Sequence, residues 1–418
     1  MKHLKTNAAV GALIAAISVG LATNATAQNP QRGVEVGDRS RNSYDPIGVR
    51  LGSFKLFPKL SISEDYDDNI FSEETNTSDD FITKITPELS LQSDWNNHQL
   101  NLDVSAEVGS YASNSAENYT NLNTSVDGRI DIKRDTTARF NAGYSFLHEE
   151  RGSPDNVNGI DPTDYTLFNP GIGLTQRFNR AVIDLDATLS IYAYDDVLTS
   201  SGTIINNDDR DRTRNEVSAR LGYELVRDFE AFARVSYNTV DYDDGTDDSG
   251  FNRNSDGYEI VAGTTLDFGG KLFGNVFAGY RSQSVDDVSL AAIEGPTFGG
   301  ALTWNATSLT TANTSINRSV RETTQLNSGG YFATSYNLSV DHELKRNILL
   351  NASFNYTLND YEGITREDDL ITAGISARYL MSRHLYLSLS FEHATRDSTV
   401  VGSDYDKNTA SLRLETQF

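Results

Sequence analysis

The chain has 418 residues, of which 22% are charged and none is cysteine, and its formal net charge is −24. The lack of cysteine excludes disulfide bonds, thiol catalysis and cysteine-ligated metals. The acidic balance argues against a nucleic-acid partner, because Lys and Arg must neutralise phosphates in such complexes. Beyond the N-terminus, no apolar run approaches the ~18–20 residues that a membrane-spanning helix needs.

Residues 1–27 have the features of a secretory signal peptide. Lys2 and Lys5 form a basic start, an apolar stretch follows, and an A-x-A cleavage site ends at Ala27. An uncleaved N-terminal anchor is the alternative, but the apolar stretch is short and the cleavage site is well formed. We therefore expect a signal peptide at 1–27, an N-terminal periplasmic extension at 28–52 and a third segment at 53–418.

The third segment consists of repeated alternation of apolar and polar residues. Residues 350–359 read LNASFNYTLN, and the segments 100–109, 183–192 and 216–223 alternate in the same way. Side chains alternate between the two faces of a strand, so each of these segments has one apolar and one polar face. No apolar stripe with the 3.6-residue period of a helix competes with this pattern.

The connections between these strands also alternate. Short turns such as 179–180, 227–229 and 345–347 alternate with longer acidic loops such as 197–211 and 243–256. We count about eighteen strands, with sixteen as the fallback because the alternation is weak around 295–324. A strand of ~10 residues with its connection is the repeat of a transmembrane barrel.

A soluble β-sandwich also alternates, but three features favour a membrane barrel. A sandwich of this length would need several domains, and no linker is visible. The last strand ends in Phe418, which resembles the C-terminal signal of bacterial outer-membrane barrels. Aromatic residues lie near strand ends, as interfacial girdles require, namely Tyr111, Phe146, Phe268, Tyr280, Tyr336 and Tyr379. The sequence thus predicts an all-β fold, an antiparallel transmembrane barrel in the outer membrane of a Gram-negative cell.

Alternation assigns the polar face to the lumen of this barrel. The charges on that face nearly cancel, so most of the net charge belongs to the loops. The simplest interpretation of these side chains is cross-strand ladders, and the alternative is contact with a permeating solute. The pore-lining candidates are Lys84, Asp103, Glu107, Arg129, Arg139, Arg177, Asp184, Asp186, Arg220, Arg234, Glu259, Arg281, Asn355 and Arg378.

The stretch 28–50 is the candidate gate, since it is polar and would lie in the periplasm. Its arginines are Arg32, Arg39, Arg41 and Arg50. We expect them to pair with lumen carboxylates such as Asp184 and Asp186, or to meet a periplasmic partner. Exposed pairs of this kind contribute ~0–1 kcal/mol each, so a gate built on them would open readily.

The sequence contains no convincing catalytic or metal-binding constellation. His148 adjoins two glutamates and His393 adjoins Glu392, but a solvated histidine explains each of them. The acidic stretches 65–68 and 241–245 do not follow the spaced calcium-loop pattern. We therefore expect no enzyme activity, no cofactor and no metal.

The entry to the first strand resembles a known family. The residues that carry the resemblance are YDPIGVRLGSF at 44–54, LFPKL at 56–60 and YDDNIF at 66–71. They resemble a family of β-barrel porins that are often encoded with exopolysaccharide machinery, distinctively over about 40–95 and more loosely to Phe418. The resemblance implies an outer-membrane barrel connected with polysaccharide secretion, and it carries no catalytic residues.

The first hypothesis is therefore a conduit for export of a surface exopolysaccharide, working with periplasmic export partners. The second is a general porin for small polar solutes, and the third is a structural or adhesive barrel without transport. In each case outer-membrane lipid and lipopolysaccharide surround the barrel.

Overall fold

A computed structural model describes residues 33–418, and the predicted signal peptide lies outside these residues. Within residues 33–418, no helix is both long and apolar enough to cross a bilayer. Two single-turn 3₁₀ segments lie at Ser115–Glu117 and Asp208–Arg210. The strands are β1 (Val49–Leu51), β2 (Phe54–Asp67), β3 (Asp80–Ser93), β4 (Gln99–Tyr111), β5 (Tyr119–Lys133), β6 (Thr136–His148), β7 (Asp164–Phe178), β8 (Ala181–Tyr194), β9 (Val197–Leu198), β10 (Ile204–Ile205), β11 (Arg212–Val226), β12 (Phe229–Tyr242), β13 (Ser255–Phe268), β14 (Leu272–Val285), β15 (Ile293–Thr307), β16 (Thr310–Arg321), β17 (Tyr331–Lys345), β18 (Ile348–Tyr361), β19 (Glu367–Leu380), β20 (Leu385–Ser398) and β21 (Tyr405–Gln417).

Eighteen long strands form one closed antiparallel barrel. Each of β2–β8 and β11–β21 pairs with its neighbours in the chain, β8 pairs with β11, and β2 closes the sheet against β21. The closing register runs from Lys59 opposite Gln417 to Asp67 opposite Thr409. A closed barrel leaves no unpaired sheet edge, which a lipid environment requires. The predicted fold and the count of eighteen strands are confirmed.

The outer face of the barrel carries the apolar side chains of the alternation. Phe354, Ile375 and Leu389 are exposed there, and the aromatic residues Tyr280 and Tyr379 lie on the same face near strand ends. The predicted girdle position of Tyr111 is wrong: it pairs with the buried Ile82, and that register places it on the inward face.

The two ends of the barrel differ in their connections. Nine long connections lie at one end, which we call the loop end, and they comprise residues 68–79, 112–118, 149–163, 195–211, 243–254, 286–292, 322–330, 362–366 and 399–404. Eight short turns lie at the other end, the turn end, and they comprise residues 94–98, 134–135, 179–180, 227–228, 269–271, 308–309, 346–347 and 381–384. The first and last barrel strands both begin or end at the turn end.

Three prolines lie within strands and cause no β-bulge. Pro58, Pro87 and Pro170 all lie inside strands, and the strand register is the same on both sides of each. At Pro87 and Pro170 the only consequence is a gap in one ladder, because proline has no N–H to donate. The register shifts lie instead beside the turns, for example between Glu343 and Lys345.

The strands β15 and β16 separate towards the loop end. Their pairing stops at Gly299 opposite Asn317, whereas β16 and β17 remain paired as far as Arg321. Beyond this point Val320 and Phe332 pack against Ile293 of β15 and are buried. The loop end of β16 and β17 therefore leans over the lumen, which is why alternation is weak around 295–324.

Candidate functional site: the lumen

The fourteen predicted pore-lining residues all lie on the inward face of the barrel. Alternation gives this placement, because each sits between outward-facing neighbours on its strand. Asn355, for example, donates a hydrogen bond to Asn337 on the inner face, whereas its neighbour Phe354 is exposed outside. Whether these residues contact a solute stays a prediction.

Seven of these residues form one wall of four arginines and three carboxylates from β6 to β14, and Glu230, which contacts Arg220, balances the charge. Arg139 pairs with Asp186 at 2.9 Å, and Arg220 pairs with Asp184 at 3.2 Å. Both Asp184 and Asp186 thus have partners on the wall itself. The three gate arginines within residues 33–418 contact other groups, so for them the predicted pairing with these two carboxylates is wrong.

The same wall continues at Glu259. Its carboxylate accepts from Arg234 at 2.8 Å and from Arg281 at 2.7 Å. Arg234 also lies over the ring of Phe277, 4.9 Å from its centroid. Cross-strand pairs of this kind hold the strands in register, as the simplest interpretation of the inner charges predicts.

A second set of ion pairs lies beside the closing strands. Lys84 contacts Asp65 at 3.0 Å, and Lys59 contacts Glu88 at 3.0 Å and Glu415 at 3.7 Å. These pairs tie β2 to both of its neighbours, β3 and β21, so they brace the closure of the barrel.

The remaining pore-lining candidates make fewer charge contacts. Glu107 accepts a hydrogen bond from Tyr119 at 2.7 Å, and Arg129 contacts Asp131 at 3.1 Å. Among residues 33–418, no ion pair joins Asp103, Arg177 or Arg378 to another side chain. The lumen therefore has unpaired charges on its wall as well as neutral pairs.

A cavity of about 720 Å³ lies along the inner face of β2–β8. It extends from Phe418 at the turn end to Leu167, three residues from the loop end of β7. Its wall consists of apolar residues together with hydroxyl, amide and carboxylate side chains, which include Glu88, Ser90, Asp103, Ser105, Asn123, Ser125, Asp127, Asn141, Ser145, Asn169 and Thr188. These groups donate and accept hydrogen bonds, so the cavity suits water and polar solutes.

Residues 33–48, which we call the strap, cross the other half of the turn end. The backbone of Val36 donates to Thr311 at 3.0 Å, and Glu35 accepts from Asn313 at 2.8 Å. Farther along, the carbonyl of Tyr44 accepts from the hydroxyl of Tyr386 at 2.7 Å. The strap therefore covers the side of the mouth that β16–β20 form, and its residue Pro46 lines the cavity beside β2–β8.

The predicted gate arginines differ from one another in their surroundings. Arg41 is buried and pairs with Glu343 at 3.0 Å. Arg39 donates to the carbonyl of Ser308 in a turn. Arg50 is exposed and lies 3.7 Å from Asp94 in the turn after β3. Arg32 lies outside the described residues. Of the three described arginines, Arg39 and Arg41 fasten the strap.

Residues 149–163, which we call the roof, cross the loop end. The hydroxyl of Thr323 donates to Asp155 at 2.6 Å, and Arg396 donates to the carbonyl of Gly152 at 3.0 Å. Arg396 belongs to β20 and Thr323 to the loop after β16, so the roof contacts the opposite side of the barrel. The sequence contains no sign that this loop spans the mouth.

The histidines lie in structural contacts. His148 stacks on Tyr119 with ring centroids 3.9 Å apart, and its Nδ1 lies 2.9 Å from Asn121 Oδ1. His393 Nδ1 lies 2.7 Å from Asn408 Oδ1. Within residues 33–418, no group of three or more His, Asp or Glu side chains could hold a metal ion.

The family model described as "Putative beta-barrel porin 2" matches residues 41–418. The chain belongs to this family. It is thus an outer-membrane β-barrel of a porin family, as the sequence predicted, and nothing in the match concerns exopolysaccharide. A comparison with curated proteins finds no match.

Solved structures that are similar include outer-membrane proteins of Pseudomonas aeruginosa. OpdK, crystallised with vanillate, is 11% identical, with a TM-score of 0.43 over 87% of this chain and 99% of that chain. OpdL is 12% identical, with a TM-score of 0.44 over 88% and 99% of the two chains. OpdO is 13% identical, with a TM-score of 0.44 over 88% and 98%.

Proposed function

We propose that this porin-family protein is a passive channel for small polar solutes across the outer membrane. The observation that carries the proposal is the polar cavity of about 720 Å³ along β2–β8. A barrel of 16–18 strands is wide enough to hold an aqueous channel. The Ser, Thr and Asn side chains of the cavity wall would hydrogen-bond solutes weakly and let them leave.

Two features favour small solutes over the polysaccharide conduit that we expected first. The strap covers part of the turn end, and the roof crosses the loop end, so a long sugar chain would have to displace both. The family match supports a porin and does not address export. A structural barrel without transport is the remaining alternative, and the polar cavity argues against it because such a barrel needs no open lumen.

In this proposal the strap acts as the gate. Its buried Arg41–Glu343 pair holds it against β17, and its other polar contacts are hydrogen bonds to turns and strand ends. A segment anchored by one buried pair can leave the mouth without disturbing any barrel strand. Displacing the strap would widen the path from the cavity into the rest of the lumen.

The proposal is tested by swelling of liposomes that contain the purified protein, in isotonic solutions of sugars of increasing size. We expect rapid swelling with a pentose or hexose and none with a dextran. Swelling with the dextran would favour the polysaccharide conduit. The absence of swelling with every sugar, from protein that has assembled as a barrel, would favour the structural alternative.

A further inference from the structure

The two ends of the barrel carry charge of opposite sign. The nine connections of the loop end contain 23 Asp and Glu residues against four Arg and no Lys. The eight turns of the turn end contain six Lys and Arg residues against three Asp. Most of the net negative charge of the chain therefore lies at one mouth of the barrel.

All four loop-end arginines are already occupied by internal contacts. Arg151 pairs with Glu117 and Arg210 pairs with Glu149, at 2.5 and 2.7 Å. Arg253 pairs with Asp247 at 2.6 Å and also donates to the backbone carbonyls of Thr323 and Ser328.

The fourth, Arg366, contacts Asp368 at 2.8 Å. The side chains of all four arginines are at most 8% exposed. None of them presents positive charge to the solvent, so a solute that approaches this mouth meets an acidic surface.

The cavity continues this negative charge into the lumen. Four charged side chains line it, and Lys59 and Glu88 neutralise each other at 3.0 Å. The other two are Asp103 and Asp127, which are both exposed to the cavity. Among residues 33–418, no ion pair involves either of them. The arginines of the neighbouring wall do not offset these charges, because Arg139, Arg220, Arg234 and Arg281 already contact carboxylates. The inward-facing Arg177 and Arg378 do not line the cavity.

We propose that the channel selects for cations, with Asp103 and Asp127 as the specificity-determining residues of the cavity and the loop end as an acidic vestibule. This inference rests on the proposed function and names the class of solute that passes most easily: small polar molecules with net positive charge. No cluster in the described residues would trap a metal ion, so cations pass along the wall and are not held there.

The size of the effect follows from Coulomb's law. A monovalent ion about 7 Å from a carboxylate in water gains about one RT of energy, which changes its local concentration roughly threefold. The vestibule adds a longer-range attraction that salt screens, with a Debye length of about 10 Å at 0.1 M and about 3 Å at 1 M. Selectivity for cations should therefore be larger in dilute salt.

The test is the zero-current potential of the full-length protein in a planar bilayer that separates two KCl concentrations. We expect a potential with the sign of the K⁺ gradient, and a larger ratio of K⁺ to Cl⁻ permeability at 0.1 M than at 1 M. The double variant Asp103→Asn and Asp127→Asn should lower this permeability ratio by threefold or more, by the same Coulomb estimate.

The matched control is the double variant Asp241→Asn and Asp256→Asn. It removes the same two charges from the outward face of β12 and β13, and should leave the ratio unchanged. A wild-type potential that is zero, or that has the sign expected for Cl⁻ selectivity, would overturn the inference. This outcome does not depend on whether the variants assemble. An unchanged ratio in the Asp103 and Asp127 variant would also overturn the assignment to those residues. A channel that conducts without selectivity contradicts only this inference, whereas a barrel that never conducts contradicts the proposed function.

Discussion

Arg41 of the strap and Glu343 of β17 form an ion pair of 3.0 Å between side chains that are only 3% and 7% exposed. The same guanidinium also donates to the carbonyl of Val36 at 2.7 Å. The two residues are 302 positions apart in the chain, so the ion pair joins the N-terminal segment to β17. Because both charges are buried, each depends on the other for its stability.

The substitution Arg41→Ala should release the strap and leave the barrel assembled. Breaking a buried ion pair from one side costs about 3–5 kcal/mol, because it leaves an uncompensated buried charge. No barrel strand loses a residue, so the variant should fold and insert normally. We expect larger single-channel conductance than that of the wild type in planar bilayers.

Arg50→Ala is the matched control for this prediction. Arg50 is exposed, and its contact with Asp94 spans 3.7 Å, so its loss should change neither conductance nor assembly. Adding Glu343→Ala to Arg41→Ala should have little further effect on conductance, since the pair is already broken. Equal conductance of wild type and Arg41→Ala would show that the strap does not limit the path.

The inward and outward faces of β18 should respond differently to charge. An Arg on the lipid-facing midplane costs ~2–4 kcal/mol, whereas changes in the lumen mainly affect selectivity. Phe354→Arg should therefore lower the yield of folded barrel, and Asn355→Arg should be tolerated. Heat-modifiable gel mobility measures both. Similar damage from the two substitutions would contradict the assignment of faces.

The loop end should face the outside of the cell. Outer-membrane barrels have short periplasmic turns and longer extracellular loops. A peptide tag inserted at Gly202, which has open space around it, should bind antibody on intact cells. A tag in the turn that contains Arg227 should bind only after permeabilisation. The reverse labelling pattern would show that the barrel has the opposite orientation in the membrane.

The roof should open more readily as pH rises from acidic values. Burial raises the pKa of the Asp155 carboxyl above its ordinary value of 3.8. A raised pKa means that the buried contact with Thr323 is most stable below the ordinary value and weakens as pH rises through the raised one. Conductance should therefore increase with pH in that window.

Asp155→Asn separates this group from the other acids of the loop end. An amide has no titration in this range and can still accept the hydrogen bond from Thr323, so the conductance should stay low at every pH. The neighbouring Glu322 does not titrate in the same pH window. Burial alone would raise its pKa, but the nearby Arg214 and Arg212 outweigh burial, so the pKa of Glu322 is lowered. An unchanged pH profile in Asp155→Asn would exclude this mechanism.

The strands and their faces could be predicted from the sequence because a barrel strand is a local pattern. Alternation at 350–359 was enough to place Phe354 outside and Asn355 inside, and the same rule placed all fourteen lumen candidates. The pattern failed at 295–324 for a physical reason. Val320 and its partner on the next strand, Phe332, lie in the register of the outer face. Both are buried, because this part of the sheet leans over the lumen.

The partners of charged residues could not be predicted, since they depend on which strands meet in space. We expected the gate arginines to bind Asp184 and Asp186, but Asp184 contacts Arg220 on the adjacent strand β11, and Asp186 contacts Arg139 two strands away on β6. The true partner, Glu343, has no local sequence signal. The roof contact of Asp155 with Thr323 spans 168 residues and was missed for the same reason.

The most direct test of the central claim is the single-channel current of the purified full-length protein in a planar bilayer. The account predicts discrete, stepwise openings in the wild type, and larger steps after deletion of residues 29–43. A barrel that assembles but gives no current steps, with or without those residues, would contradict the proposal that this protein is a channel.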